Sequence, residues 1–501
     1  MMKRYIQYIV LSMGISVLHS SCSSFLDEVP DNRTEIDSKE KIDELLAGAY
    51  PTGTYFLFAE SMSDNAADKG PNAITNDRTN TEMFFWRDLN DETEDTPTYY
   101  WNACYKAIAQ ANHALVAAEE LEKNNGEDLS PQRGEALLAR AYAHFMLVAF
   151  WSKPYNPDTA DSDPGIPIVL EPETVVLEDY ERGTVKEVYE QIEKDLELGL
   201  ELISDHYEKP KFHFTVNAAK AFASRFYVFK GEWNNVIAYA NDVLGSDPAV
   251  NLRPWNQETY TGLGTSREYG IQYQSSGEKS NLLIASAKST YTRLFDDERY
   301  ALSAGLSTSL FFGNTNPTGG RWSYPVFSSG DYNNNVPKFT EYFITTNISA
   351  QTGLAYLMCV LFSYDEVILN RAEALAMTGR EDESVRDINS FLSKKTADYS
   401  EATHTINKNN IDTFYNAEDN EFSPFYPIPE SAESLIKCLS ELRRLEFYHE
   451  GMRWLDHKRW NMAVTHEDYF GNATVLPKDD PRRELQIPAV ARASGISPNP
   501  R

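Results

Sequence analysis

The residues best suited to chemistry gather late in the chain. Glu446, Glu450, Arg453, Asp456 and Trp460 follow one another at spacings of four, three, three and four. On a nearly continuous helix they would share one side, and neighbours at such spacings can pair. Glu366 and Glu373 sit one heptad apart on another helical stretch and are placed to meet the arginines. Two chemistries fit this set: a catalytic carboxylate network, or an ion ladder that ties helices together. No nucleophile and no metal-ligand group lies near, so the ladder is the expectation. Asp296 and Asp297 could suggest a glycosidase pair, but adjacent acids seldom converge on one bond, and a turn is expected there instead. His449 and His457 lie eight apart and lack a third zinc ligand. Gly-x-Ser-x-Gly, His-Glu-x-x-His and phosphate-cradling glycine loops are all missing. The expectation is a binder with no catalytic residue, no metal and no cofactor.

A sugar offers apolar C–H faces and many hydroxyls. Its site wants exposed aromatic planes flanked by amides, carboxylates and guanidinium groups. Two loop regions supply that mixture. The first holds Asp68, Asn72, Asn76, Asp77, Arg78, Asn80 and Trp86. The second holds Tyr269, Tyr273, Tyr291, Trp322, Tyr324 and Tyr332, with Arg321 and Asn333 to Asn335 beside them. Asp68, Arg78, Trp86, Tyr273, Tyr291, Trp322 and Tyr324 are the candidate contacts. The competing reading for each aromatic is packing inside a loop core.

The elements that must position these residues are mainly helices. Ser38 is a cap for a helix through about Ala49. Residues 51–98 are rich in Asn, Asp and Thr and poor in helical period. Trp101, Cys104, Ile108, Ala111, Leu115 and Leu121 keep one face of a helix from about Tyr99 to Glu122. Ser130-Pro131 starts another through Trp151, apolar nearly all round and therefore central. Pro154 to Pro172 is a proline-punctuated loop. Thr184 and Glu187 form a capping box, and the helix they open turns Val185, Val188, Ile192, Leu196, Leu200 and Ile203 inward. Ala218–Lys230, Gly231 and Trp233–Leu244 read as a helical hairpin with tetratricopeptide-like residues. A second copy runs from Tyr364 through Gly379 to Leu392. Residues 251–362 between them are loop-rich, and a stretch that long without a period is usually functional or a small subdomain. A last pair spans Ser431–His449 and Met452–Met462, broken at Gly451.

The chain opens with Lys3 and Arg4, a short apolar stretch from Tyr5 to Leu18, then Ser20-Ser21-Cys22. This reads as a secretory signal over residues 1–21, too short to span a bilayer as a helix. The small-small-Cys ending resembles a bacterial lipobox that would lipidate Cys22; ordinary secretion with an incidental cysteine is the alternative. Residues 22–37 then form a tether. A region with tetratricopeptide-like helices follows over 38–250, then the loop-rich insert 251–362 and a C-terminal helical region 363–501. The net charge of −29 argues against nucleic acid and anionic lipid headgroups. Cys104, Cys359 and Cys438 lie in apolar patterns and read as buried thiols without a disulfide framework.

Several islands resemble the SusD/RagB family of Bacteroidetes surface lipoproteins. They are Cys22-Ser23-Ser24-Phe25-Leu26-Asp27, Arg133-Gly134-Glu135-Ala136 through Ala141, the hairpin at 218–244, Phe295-Asp296-Asp297-Glu298-Arg299, and Asn370-Arg371-Ala372-Glu373-Ala374. The most specific runs from Glu446 through Glu450-Gly451, Arg453 and Asp456 to Arg459-Trp460. Leu442 and Leu445 depart from polar positions common in the family, and the C-terminus is short. The resemblance implies about four tetratricopeptide-like helix pairs packed with a loop-rich, ligand-binding subdomain. It also implies a nutrient-binding lipoprotein, anchored in the outer membrane through Cys22, that acts as lid of a SusC-like TonB-dependent transporter. The implied ligand is an oligosaccharide, or a peptide as in RagB-like members. A glycosidase and a pure protein scaffold are the competing classes.

Overall fold

Ser38 accepts a hydrogen bond from the Lys41 amide and opens α1 (Lys39–Ala47), which buries Ile42 and Leu46. This computed structural model describes residues 36–173, 180–329 and 333–501. The leader, Cys22 and Tyr332 fall outside them. Segment 51–98 departs from expectation by holding α2 (Phe56–Met62) and α3 (Arg78–Phe84). Helix α2 is buried on every side, so it carries no amphipathic period to read.

Thr96 caps α4 (Pro97–Asn125), with proline in the first turn where no amide bond is lost. Next comes α5 (Ser130–Trp151), buried over nearly its whole length. Its start differs slightly from the reading: Leu129 takes the cap position, and its amide is satisfied by the Glu122 carboxylate at 3.2 Å. The Thr184–Glu187 box is formed in both directions at the head of α6 (Val185–Leu202), which packs on α5. Helix α7 (Val216–Lys230) ends at Gly231, whose φ of +71° is open to glycine at little cost, and α8 (Trp233–Leu244) returns along it. Helices α9 (Tyr364–Met377) and α10 (Glu381–Lys395) repeat the arrangement, and α9 touches α7, α8 and α11 (Glu433–Glu446). Helix α12 (Met452–Arg459) follows the break at Gly451. The hairpins α4–α5, α7–α8, α9–α10 and α11–α12 give the mainly α, tetratricopeptide-like architecture that was expected.

The loop-rich insert is more ordered than its composition suggests. The strands are β1 (Ala67–Asp68), β2 (Asn281–Lys288), β3 (Tyr300–Ala301), β4 (Phe327–Ser329), β5 (Asn333–Asn335), β6 (Tyr342–Asn347), β7 (Thr352–Ser363), β8 (Val464–Glu467) and β9 (Ala473–Leu476). Strands β2, β7 and β6 form one antiparallel sheet in that order. Three two-stranded ribbons, β1–β3, β4–β5 and β8–β9, stitch the loops together. Cys104, Cys359 and Cys438 are buried and free, and burial pushes each thiol above its ordinary pKa.

Candidate functional site

The late cluster does not lie on one helix. Helix α11 stops at Glu446, and residues 447–451 reverse direction before α12. Each member therefore serves a different neighbour. Glu446 meets Lys395 at 3.0 Å and accepts the Tyr324 hydroxyl at 2.9 Å. Glu450 pairs with Lys338 at 2.7 Å and accepts from Tyr273. Arg453 reaches across to Asp64 beyond α2 at 2.8 Å. Asp456 is bracketed by Arg443 and Arg459. Burial pushes its carboxyl upward, but the two guanidinium groups outweigh that and hold it below the usual range. Trp460 donates to Glu373, which also takes Arg459 as a bidentate pair. Glu366 takes Arg225 in the same way. This is an ion network tying α7, α9, α11, α12 and the loop insert together. Among the described residues no group of histidine, cysteine and acidic side chains is placed to hold a metal.

Most of the aromatic candidates are withdrawn from the surface, and this corrects the expected set. Trp86 is buried, donates to the Met62 carbonyl and stacks on His466 at 4.5 Å. Tyr273 is buried under the Arg253 guanidinium, 3.8 Å away. Tyr291 packs against Phe56 and Phe339. Trp322 is buried and donates to Thr315 at 2.7 Å, and Tyr324 is spent on Glu446. The four in the insert share a physical reason: a loop-rich insert has few helices to build a core from, so aromatics supply one, and Tyr273 and Tyr324 also satisfy buried carboxylates.

Arg78 stays exposed at the start of α3, whereas the Asp68 side chain is only 1% exposed and leaves the expected set with the aromatics. Asp68 lies on β1 opposite Tyr300 of β3, and its carboxylate takes Arg299 at 2.7 Å on both oxygens. It also accepts the amides of Gly70 and Tyr469. Burial raises its pKa, but Arg299 and these amides win and lower it. Gly70 has φ +91°, and a Cβ there would lie 2.5 Å from the Tyr469 ring, so glycine lets that ring settle on the loop. Tyr469 and the adjoining Phe470 remain 54% and 79% exposed, edge to face at 5.5 Å. Asp468 ties their turn by accepting from Phe470 and Asn472. Exposed Asn72, Ile74, Asn76 and Arg78 continue the same loop. Behind it, Asn333 and Asn335 donate to Asp297 and Asp296, and Lys69 donates to the Asp296 carbonyl. The Asp-Asp pair thus organises a turn, as expected. Sequence reading missed Tyr469-Phe470; the signal was an aromatic pair inside an Asp-x-x-Gly-Asn turn.

Under this face lies a small cavity of about 20 Å³, room for one water. Glu60 and Glu298 line it, each pushed by burial up to about 7. One oxygen of Glu298 has no hydrogen-bond partner among the described residues. The cavity is too small to admit a sugar ring.

Comparison with known proteins completes the picture. Residues 24–228 match a family model described as starch-binding associating with outer membrane, and residues 238–487 match the SusD family. A SusD-like protein of Formosa agariphila is 23% identical, with 91% of each chain covered. A SusD superfamily protein of Bacteroides thetaiotaomicron superposes with a TM-score of 0.64 at 19% identity, covering 92% of this chain and 99% of that one. A SusD-like carbohydrate binding protein of Bacteroides vulgatus gives 0.61 at 17% identity, covering 91% and 96%. With both family matches lying in order along nearly the whole chain, on a helical scaffold of the same fold, the protein belongs to the SusD family.

Proposed function

We propose that this protein is a cell-surface subunit that captures an oligosaccharide and acts as lid of a SusC-like TonB-dependent outer-membrane transporter. The observation that carries the ligand class is the exposed Tyr469–Phe470 pair beside the locked Asp68–Arg299 bridge. Flat aromatic faces suit the C–H faces of a sugar. Asp468 in their turn, and Asn72 on the loop whose Gly70 meets the Tyr469 ring, suit its hydroxyls. Family membership supports the transporter role, and the outer-membrane association in the matched description supports the address. A lipid on Cys22 would provide the anchor, and no helix among the described residues is long and apolar enough to cross a membrane. Binding without turnover fits the buried acids at hand: Glu60 and Glu298 line a cavity too small for a sugar ring, Asp365 and Glu373 are tied to cations, and Asp95 accepts a serine hydroxyl.

Titration calorimetry against a panel of oligosaccharides and a peptide mixture tests this reading, with wild type beside the double variant Tyr469→Ala, Phe470→Ala. At least one glycan should bind, and the double variant should lose about tenfold or more in affinity, the equivalent of about 1.4 kcal/mol. Binding of peptide alone would move the protein to the RagB-like class. Silence from both classes would remove the nutrient-capture reading, and shortened glycan in the cell would make the protein an enzyme.

A further inference from the structure

His466 sits buried on β8, two residues before the Asp468 turn that carries Tyr469 and Phe470. Its ring lies between two others. The Phe84 ring stacks on it at 4.0 Å and 8°, and the Trp86 ring at 4.5 Å and 15°. Phe84 stacks in turn on Tyr300 at 4.1 Å, and the Arg299 guanidinium that grips Asp68 lies 5.1 Å from the Tyr300 ring. A column of rings thus runs from the Asp68–Arg299 bridge to Trp86. Trp86 takes a φ of +51°, an uncommon conformation for so large a residue, and its indole donates to the Met62 carbonyl.

The edge of the His466 ring is more telling than its faces. Nδ1 lies 2.7 Å from the Phe84 carbonyl oxygen, and Nε2 lies 2.8 Å from that of Ser63. A carbonyl oxygen has no hydrogen to give. A neutral imidazole has one N–H and one lone pair, so it serves only one of the two. At the other carbonyl, lone pair would face lone pair within hydrogen-bonding distance. An imidazolium donates to both, and two stacked aromatic faces suit a flat cation. His144 and His449 show the contrast. The Nε2 of each accepts a main-chain amide, from Val169 and Val336, and that requires a nitrogen without hydrogen.

Burial opposes a charge on His466 and draws the ring below its ordinary 6.5; the Ser63 and Phe84 carbonyls and the Asp64 carboxylate work in its favour. The two carbonyl contacts decide for the charge, because an uncharged ring would be repelled at one of them. Arg444, Arg453 and His457 hold Asp64 from α11, α12 and the helix end. The other charged or titratable side chains on the elements packed here are Asp68 and Lys69 in and after β1, Arg299 and Tyr300 at β3, Arg78, Glu82 and Arg87 in and after α3, and Glu467 and Asp468 on the hairpin itself.

We propose that His466 is a positioning residue for the ligand face: an imidazolium whose two N–H groups fasten the β8–β9 hairpin, and with it Tyr469 and Phe470, to the ends of α2 and α3. The role in ligand binding rests on the glycan reading above; the charge on the ring does not. A ring that the fold keeps protonated contributes fully below its ordinary 6.5, and the contribution is lost as pH rises through the folded value.

Nitrogen-15 NMR of the full chain labelled at histidine, without ligand, tests this, with the His466 signals assigned from His466→Phe or His466→Gln. At pH 7 His466 should carry hydrogen on both ring nitrogens, where His144 and His449 carry it on one. The Tyr469 amide, which donates to Asp68, reports on the hairpin through hydrogen exchange divided by the intrinsic rate at each pH. In wild type it should exchange tenfold or more faster at pH 9 than at pH 6. His466→Phe keeps a ring in the column and removes both donors, so it should exchange fast at both. A single N–H on the wild-type ring at pH 7 overturns the proposal, whether or not a variant folds. Wild-type exchange that ignores pH overturns it too, as does a variant that matches wild type at pH 6. A glycan panel that stays silent removes the ligand reading and leaves the charged fastener to these readouts.

Discussion

The helical scaffold and the loop face treat their charges in opposite ways. In the scaffold, acids are buried against guanidinium groups: Glu373 with Arg459, Glu366 with Arg225, Asp456 with Arg443 and Arg459. At the loop face, backbone and amide groups do much of the work. Asp68 accepts two main-chain amides besides Arg299, Asp297 and Asp296 accept from asparagines, and Glu298 accepts the Asp77 amide. The aromatics divide likewise. Tyr273, Tyr291, Trp322 and Tyr324 of the insert are buried, while Tyr469 and Phe470 stay exposed. The lesson is that a charged sequence motif marks where helices are fastened, whereas the surface available to a ligand is set by short turns between them.

The largest effect should come from unfastening the scaffold. Glu373 is fully buried and serves both Arg459 and Trp460. Glu373→Ala leaves a buried guanidinium short of its counter-charge, a loss of about 3–5 kcal/mol. Chemical denaturation should show it as a lower midpoint with an unchanged slope. A loss under about 1 kcal/mol would mean that Asp456 alone suffices for Arg459 and that the network is redundant.

The helices were legible because their ends are written locally. Ser38, the Thr184–Glu187 box and Gly231 each act on neighbouring amides, and apolar spacing does the rest. The ion ladder was legible in its members but not in its geometry. Residues 447–451 reverse the chain, and the turn depends on His449 and Gly451 both taking positive φ, which spacing alone does not announce. Helix α2 and strands β2 and β7 were hidden for a different reason. Helix α2 and most of β2 are buried on every side, and β7 is apolar on both faces from Leu354 to Phe362, so none offers a contrast to read. The aromatic candidates failed for the reason that loops need cores too. Aromatic content indicates that a loop region is ordered; it does not say which rings face out.

A middle-sized effect separates the two regions by pH. The folded pKa of Asp456 is depressed, so its contribution is present above the ordinary 3.8 and is lost as pH falls. Glu298 has the opposite sign. Its folded pKa is raised from 4.5 to about 7, so its contribution is full below pH 4.5 and is lost as pH rises through 7. Glu298→Gln keeps an acceptor for the Asp77 amide and removes the ionisation. Relative to wild type, the variant should gain about 1–3 kcal/mol between pH 5 and pH 8. An equal difference at both pH values would show that water reaches the carboxylate and that the cavity is open.

The smallest stability effect belongs to the residue with the largest expected role in binding. Phe470 is 79% exposed and packs edge-on against Tyr469. Its turn is held by Asp468, not by the ring. Phe470→Ser should therefore change unfolding free energy by no more than about 0.5 kcal/mol. A loss of 2 kcal/mol or more would mean that the ring is covered by neighbouring loops in solution, which would place it with the buried aromatics of the insert. A near-zero change leaves an exposed aromatic that folding does not require, on a turn anchored to the Asp68–Arg299 bridge; its retention then has to be explained by what the face binds.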